Sequence, residues 1–319
     1  MKLLKRPGIG VPMFGVMLAA VLVPLNSTMI AVALPEVADD LDVSTGTSGV
    51  LIVVYLVVML VGQPLAGRVG DAVGARQVLV VGLVGMGVAS LGGALAGSFA
   101  ALISARTAQA VFAAMLVPSV QSIMRGATTE ANRGRLFGLF GSLLGVGAAL
   151  GPLVGGVLTS LAGWPGVFLV NLPVVVAALA MQRRPVEVVV PTAERAEGKG
   201  QLPTGSVFNR VFGGSYLAQG ATTFGQYMLI LVVPLVLDDR GWGADEIGLA
   251  VTALTAGMVV VGPIGGRLGD ERGRRAPCMV GLVVAAASLW VLAGIGGDVA
   301  AAVLIVVLGT FGLGFGFAA

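Results

Sequence analysis

The 319-residue chain is 56% hydrophobic and 11% charged, against about a quarter charged in a soluble domain, which excludes a soluble globule and places it in a lipid bilayer. A net charge of +3, from 19 Lys and Arg against 16 Asp and Glu, needs no nucleic-acid partner, and a single cysteine, Cys278, excludes an intramolecular disulfide. With no histidine and no carboxylate cluster inside the apolar runs, the sequence offers no metal site and calls for no cofactor.

Continuous apolar runs of about 20 residues, not short alternating strands, predict transmembrane helices and argue against a β-barrel. They fall at 11–35, 47–66, 78–98, 100–124, 134–158 and 166–181, and after a polar stretch at 212–237, 246–265, 277–296 and 299–318. The first run is too long for the apolar core of a cleavable signal peptide. The expected organisation is an N-terminal six-helix bundle over residues 1–181, a cytoplasmic linker over 182–209, and a C-terminal bundle over 210–319 with four helices, two fewer than the first half. With the N-terminus inside, 17 of the 19 Lys and Arg lie in or beside cytoplasmic segments, while outward loops collect acids such as Glu36, Asp39, Asp40 and Asp238. The positive-inside rule therefore predicts a multi-pass protein of the cell (inner) membrane with a cytoplasmic N-terminus.

Asn26 lies in the first span, within LNSTMIAVALP (Leu25 to Pro35). The turn between the second and third spans, GRVGDAVGAR (Gly67 to Arg76), returns 199 positions later as GRLGDERGRR (Gly266 to Arg275) between the eighth and ninth. Between Pro64–Arg76 and Pro263–Arg275, seven of thirteen positions are identical. A charged, glycine-punctuated turn repeated at the same place in two apolar halves points to duplication, and internal repeats in an apolar chain point to a transporter. Gly67, Gly70 and Gly74 are expected to permit a tight connection, and Asp71 to lie near the positive end of the following helix. Arg68 and Arg76 are expected to anchor the turn at the lipid headgroups.

The fourth span holds the only charge lying away from the ends of a span, Arg106, with Gln109 about one turn further on and near the same face. Leaving that charge in lipid costs at least ~2.5 kcal/mol, so it is a functional candidate by default; the alternative is a stem that snorkels outward. The fifth span carries Gly147, Gly151, Pro152, Gly155 and Gly156. Glycines four apart make a smooth face for close helix contact, and Pro152 removes a backbone donor. Asn132 is the expected N-cap of that helix. In the seventh span Gln219, Thr222 or Thr223, and Gln226 form one polar stripe, facing either a cavity or a neighbouring helix.

These motifs resemble those of the major facilitator superfamily. Its signature Gly-x-x-x-Asp-x-x-Gly-x-Arg is met twice, by Gly67, Asp71, Gly74 and Arg76 and by Gly266, Asp270, Gly273 and Arg275. The first copy departs at Ala72 and Ala75, where the family usually places basic residues. LNSTMIAVALP and WPGVFLVNLP (Trp164 to Pro173) resemble motifs of its drug:proton antiporter branch, and the Gly-Pro-x-x-Gly-Gly ending of the fifth span is similar to the antiporter motif. RTAQA resembles the helix 4 motif Arg-x-x-Gln-Gly, with Ala110 in place of glycine.

The resemblance implies an all-α membrane protein of two pseudo-repeated bundles, here about ten helices arranged as six plus four. It implies secondary transport of small organic molecules, export rather than import, with the repeated turns and the fifth-span glycines gating. Asn26, Arg106, Gln109, Gln219, Thr223 and Gln226 would line the substrate or coupling cavity. A proton is the coupling ion that the branch implies, yet Asn26 stands where that branch usually has an acid, and an amide cannot titrate. Asn26 and Gln109 are therefore expected to solvate Arg106 in place of a counter-ion. Two other readings stay open. An uncoupled facilitator of a metabolite or organic anion is favoured by Asn26, and a truncated, non-transporting fragment or interaction protein by the two missing helices. An enzyme is not expected, because no acid pair, Ser–His or Cys–His arrangement exists.

Overall fold

The computed structural model describes residues 11–128, 130–182, 225, 228–272, 275–294 and 301–318. Regular structure among the described residues is helical. The first half comprises α1 (Val11–Asp40), α2 (Thr45–Ser48), α3 (Val50–Val73), α4 (Ala75–Ala94), α5 (Phe99–Ala127), α6 (Glu130–Ala162), α7 (Pro165–Leu169) and α8 (Asn171–Met181). The second half comprises α9 (Met228–Asp238), α10 (Ala244–Arg272), α11 (Arg275–Gly294) and α12 (Ala301–Ala318). Among the described residues six helical stretches are long and apolar enough to cross a membrane, and the shorter apolar helices Pro165–Met181, Met228–Asp238, Cys278–Leu292 and Val303–Phe317 fall on the four remaining predicted spans.

Local chemistry sets the ends of these helices. Ser98 caps α5 by accepting the N–H of Ala101 at 3.3 Å, and Ser44 accepts that of Thr47 at 3.2 Å ahead of α2. Gly74 separates α3 from α4 with φ +103°, a conformation that a side chain strains. The sixth predicted span is divided into α7 and α8. Pro173 has no N–H to give the Leu169 carbonyl, and the helix is interrupted at Val170.

Three expectations are corrected. Asp71 sits in the last turn of α3, with Gly74 between it and α4, so it does not lie at the positive end of the next helix. Gly67 and Gly70 are helical residues of α3, and Gly74 alone of the three has a positive φ. α6 starts at Glu130, which puts Asn132 inside its first turn instead of at the N-cap.

The sequence repeat reappears in the helix bounds. Thr45, where α2 begins, and Ala244, where α10 begins, are 199 positions apart, and so are Val73 and Arg272, where α3 and α10 end. Contacts group the chain into two compact units. The first comprises Met1–Ser27, Val50–Gly147 and Pro165–Arg195, the second Thr28–Gly49, Ala148–Trp164 and Ala196–Ala319. The division passes through α1 and through α6, while residues 183–209 of the expected linker lie outside the described residues.

The first unit is built on buried Met17, Leu79, Leu83, Met86, Ala113 and Met124. Outside that core α3 and α4 expose Val57, Leu60, Val61, Val81 and Val88, the apolar surface that a helix solvated by lipid keeps. In the second unit α10 meets α12 backbone to backbone: a Cβ on Gly257 would stand 2.6 Å from the Gly309 carbonyl oxygen.

Candidate functional site

The first unit encloses a polar cluster whose members come from five helices. Asn26 sits midway along α1, Tyr55 on α3, Ser90 on α4, Arg106 and Gln109 on α5, and Asn171 at the head of α8. None of the six is more than 1% exposed. In an apolar bundle such burial demands partners, because an unpaired amide or guanidinium costs several kcal/mol, on the order of ~2–7 for an amide alone.

The partners are present. Arg106 donates from Nη1 to Gln109 Oε1 at 2.6 Å and to Asn26 Oδ1 at 3.2 Å, from Nη2 to the Asn26 carbonyl at 3.0 Å, and from Nε to the Leu51 carbonyl at 3.4 Å. Four of its five N–H groups are thereby engaged. Its Cζ also lies 4.2 Å from the centroid of the Tyr55 ring, a cation–π contact, and the Tyr55 hydroxyl is fixed by the Val23 carbonyl at 3.3 Å. Among the described residues no carboxylate touches the guanidinium, so amide oxygens, carbonyls and a ring face hold the cation.

A second layer ties these ligands down. Gln109 Nε2 donates to Ser90 Oγ at 2.8 Å, and Asn171 Nδ2 to the same oxygen at 3.2 Å. Asn26 Nδ2 donates to Asn171 Oδ1, while Asn171 Nδ2 approaches Asn26 Oδ1 at 3.4 Å and the Phe168 carbonyl at 3.1 Å. The interruption at Val170 is what brings Asn171 here, at the start of a new helix. Chemically the cluster is a fixed positive charge, satisfied by amide and carbonyl oxygens and a tyrosine ring, with no carboxylate partner among the described residues.

Of the predicted site residues, Asn26, Arg106 and Gln109 are brought together, whereas Gln219, Thr223 and Gln226 lie outside the described residues. In the first repeated turn Gly67 and Asp71 close α3, Gly74 turns the chain, and Arg76 in α4 donates from Nη2 to the Gln182 carbonyl at 3.1 Å. Arg76 thus caps the C-terminal end of α8. In the second turn Gly266 and Asp270 fall within α10 and Arg275 opens α11, while Gly273 lies outside the described residues. Gly147, Gly151, Pro152, Gly155 and Gly156 all lie in α6. In the first unit a Cβ on Gly147 would meet Val21 Cγ1 at 2.7 Å. In the second, a Cβ on Gly155 would meet the Met29 carbonyl oxygen at 2.6 Å, and one on Gly248 of α10 the Pro152 carbonyl oxygen at 2.6 Å.

The Major Facilitator Superfamily profile matches residues 16–319. The chain belongs to the major facilitator superfamily. Members are multi-pass membrane proteins. The tetracenomycin C resistance and export protein of Streptomyces glaucescens is 27% identical over 87% of this chain and 62% of its own length. The multidrug efflux pump LfrA of Mycolicibacterium smegmatis is 36% identical over 52% of this chain and 33% of its own. The chain thus spans less than two thirds of these relatives. A crystal structure of the D-xylose-proton symporter shares the fold, with TM-score 0.77 at 13% identity, over 96% of this chain and 80% of that one.

Tyr55, Ser90 and Asn171 are the cluster members that sequence reasoning missed. Asn171 was findable, as the sole amide within WPGVFLVNLP; Ser90 and Tyr55 carry no such signal, since a serine or tyrosine in an apolar helix is ordinary.

Proposed function

We propose that this superfamily member takes part in secondary transport of small organic molecules, by alternating access and in the export direction, with its N-terminus cytoplasmic. The observation that carries this reading is the glycine-lined packing of α6, through Gly155 on Met29 of α1 and through Pro152 on Gly248 of α10. A contact made through glycine interlocks no side chains, so it can part and re-form as alternating access requires. Relatives named for export and efflux support the direction. The placement of 17 of 19 Lys and Arg supports the orientation.

In this reading Arg106 is a hub that fixes α1, α3, α4, α5 and α8 rather than a ligand for substrate, since four of its donors are taken. Gln219, Thr223 and Gln226 remain the proposed polar lining, and the two repeated turns the proposed gates. Uncoupled facilitation is the second reading, favoured by the contact of Asn26, an amide, with Arg106.

Ethidium accumulation in a bacterial host stripped of its own drug pumps tests the proposal. Cells carrying the chain should hold less ethidium than vector controls, and a protonophore should abolish the difference. Equal accumulation with the chain confirmed in the membrane contradicts export, and faster entry to the same final level, insensitive to the protonophore, favours facilitation.

A further inference from the structure

Pro152 sits inside α6, a helix of 33 residues. Proline has no N–H, so the carbonyl four residues earlier, that of Ala148, loses its intrahelical donor. Within the second unit that carbonyl is met by another helix: Thr28 Oγ1 of α1 donates to it at 3.2 Å, and Thr28 is 1% exposed. The two backbones stay in contact beyond this point, as the approach of Gly155 to Met29 shows.

We infer that Thr28 is a positioning residue for α6, its hydroxyl standing in for the backbone donor that Pro152 lacks. Buried carbonyls are almost always paired, and one in lipid has no water to turn to. The hydroxyl thereby fixes where the C-terminal part of α6 starts, and with it the glycine face that meets α10.

The neighbouring carbonyl provides the contrast. Ala149 accepts from Thr255 of α10 at 3.3 Å, but Leu153, four residues on, retains the N–H that an intrahelical bond needs. That bond is an addition, whereas the bond from Thr28 is a replacement. The consequence for transport rests on the function proposed above; the replacement itself does not, so the two can fail separately.

The test is a cycle of variants of the whole chain in detergent, read by thermal unfolding. Thr28→Val keeps the shape and removes the hydroxyl, and should lower the midpoint by roughly 2–6 °C. Thr28→Ser should restore it, and Thr255→Val should shift it by less than half as much. Pro152→Ala gives residue 152 an N–H for the Ala148 carbonyl, so in that background Thr28→Val should cost nothing further. An equal loss from Thr28→Val in both backgrounds overturns the inference. If the Pro152 variant does not fold, failure of Thr28→Ser to restore the midpoint overturns it instead.

Discussion

At the scale of single residues, the decisive fact is how a buried guanidinium is held when no acid among the described residues touches it. Its desolvation is offset by a forked set of bonds to Gln109, Asn26 and Leu51 and by the Tyr55 ring, all of which need the planar geometry of arginine. Gln109 makes the shortest of the Arg106 bonds and also reaches Ser90, so it holds both layers. Gln109→Leu should therefore cost about 2–3 kcal/mol, because it strips one ligand from a buried charge. For a chain of this size that is about 5 °C in the thermal midpoint. An unchanged midpoint would mean that the guanidinium is not held as described. Spacing paired Arg106 with Gln109 and depth matched Asn26 to them, while the superfamily resemblance was what set the first helix opposite the fourth. Tyr55 and Ser90 were not legible, and Asn171 showed only as the sole amide of WPGVFLVNLP, because partners across helices depend on which faces meet, and spacing along one helix says nothing of that.

At the scale of elements, the helices themselves were legible and their ends less so. Ten apolar runs became ten helical stretches because hydropathy over about 20 residues is a strong signal. The turn motif misled in detail: three glycines looked like three turn positions, yet Gly67 and Gly70 continue α3 and the chain turns at Gly74. The glycines should therefore differ on substitution. A Cβ on Gly67 would meet only the Pro118 Cβ at 3.9 Å, ordinary contact, and the helix gains propensity. Gly74→Ala finds open space but must hold φ +103°, a strain of roughly 1–2 kcal/mol. Unfolding midpoints should accordingly be unchanged or raised for Gly67→Ala and lowered by about 3 °C for Gly74→Ala. The reverse order would show that the motif glycines serve packing at Gly67 instead of the turn at Gly74.

At the scale of the whole molecule, a duplicated architecture is written twice, in the 199-residue spacing of the motif and in the helix bounds that keep it. The alternating access proposed above is the kind of function to which internal repeats in a membrane chain are suited. The fold was legible because lipid imposes long apolar helices; the polar stripe of Gln219, Thr223 and Gln226 lies outside the described residues, so its facing rests on periodicity alone. The measurement that tests the central claim most directly is counterflow of labelled tetraphenylphosphonium into proteoliposomes that hold the purified chain and an excess of unlabelled cation. Counterflow needs a carrier that reorients but no coupling ion, so it is independent of whether Asn26 has replaced a proton site. The account predicts a transient, saturable overshoot of label that empty liposomes lack. Label that only equilibrates, at the rate of protein-free vesicles, would contradict it.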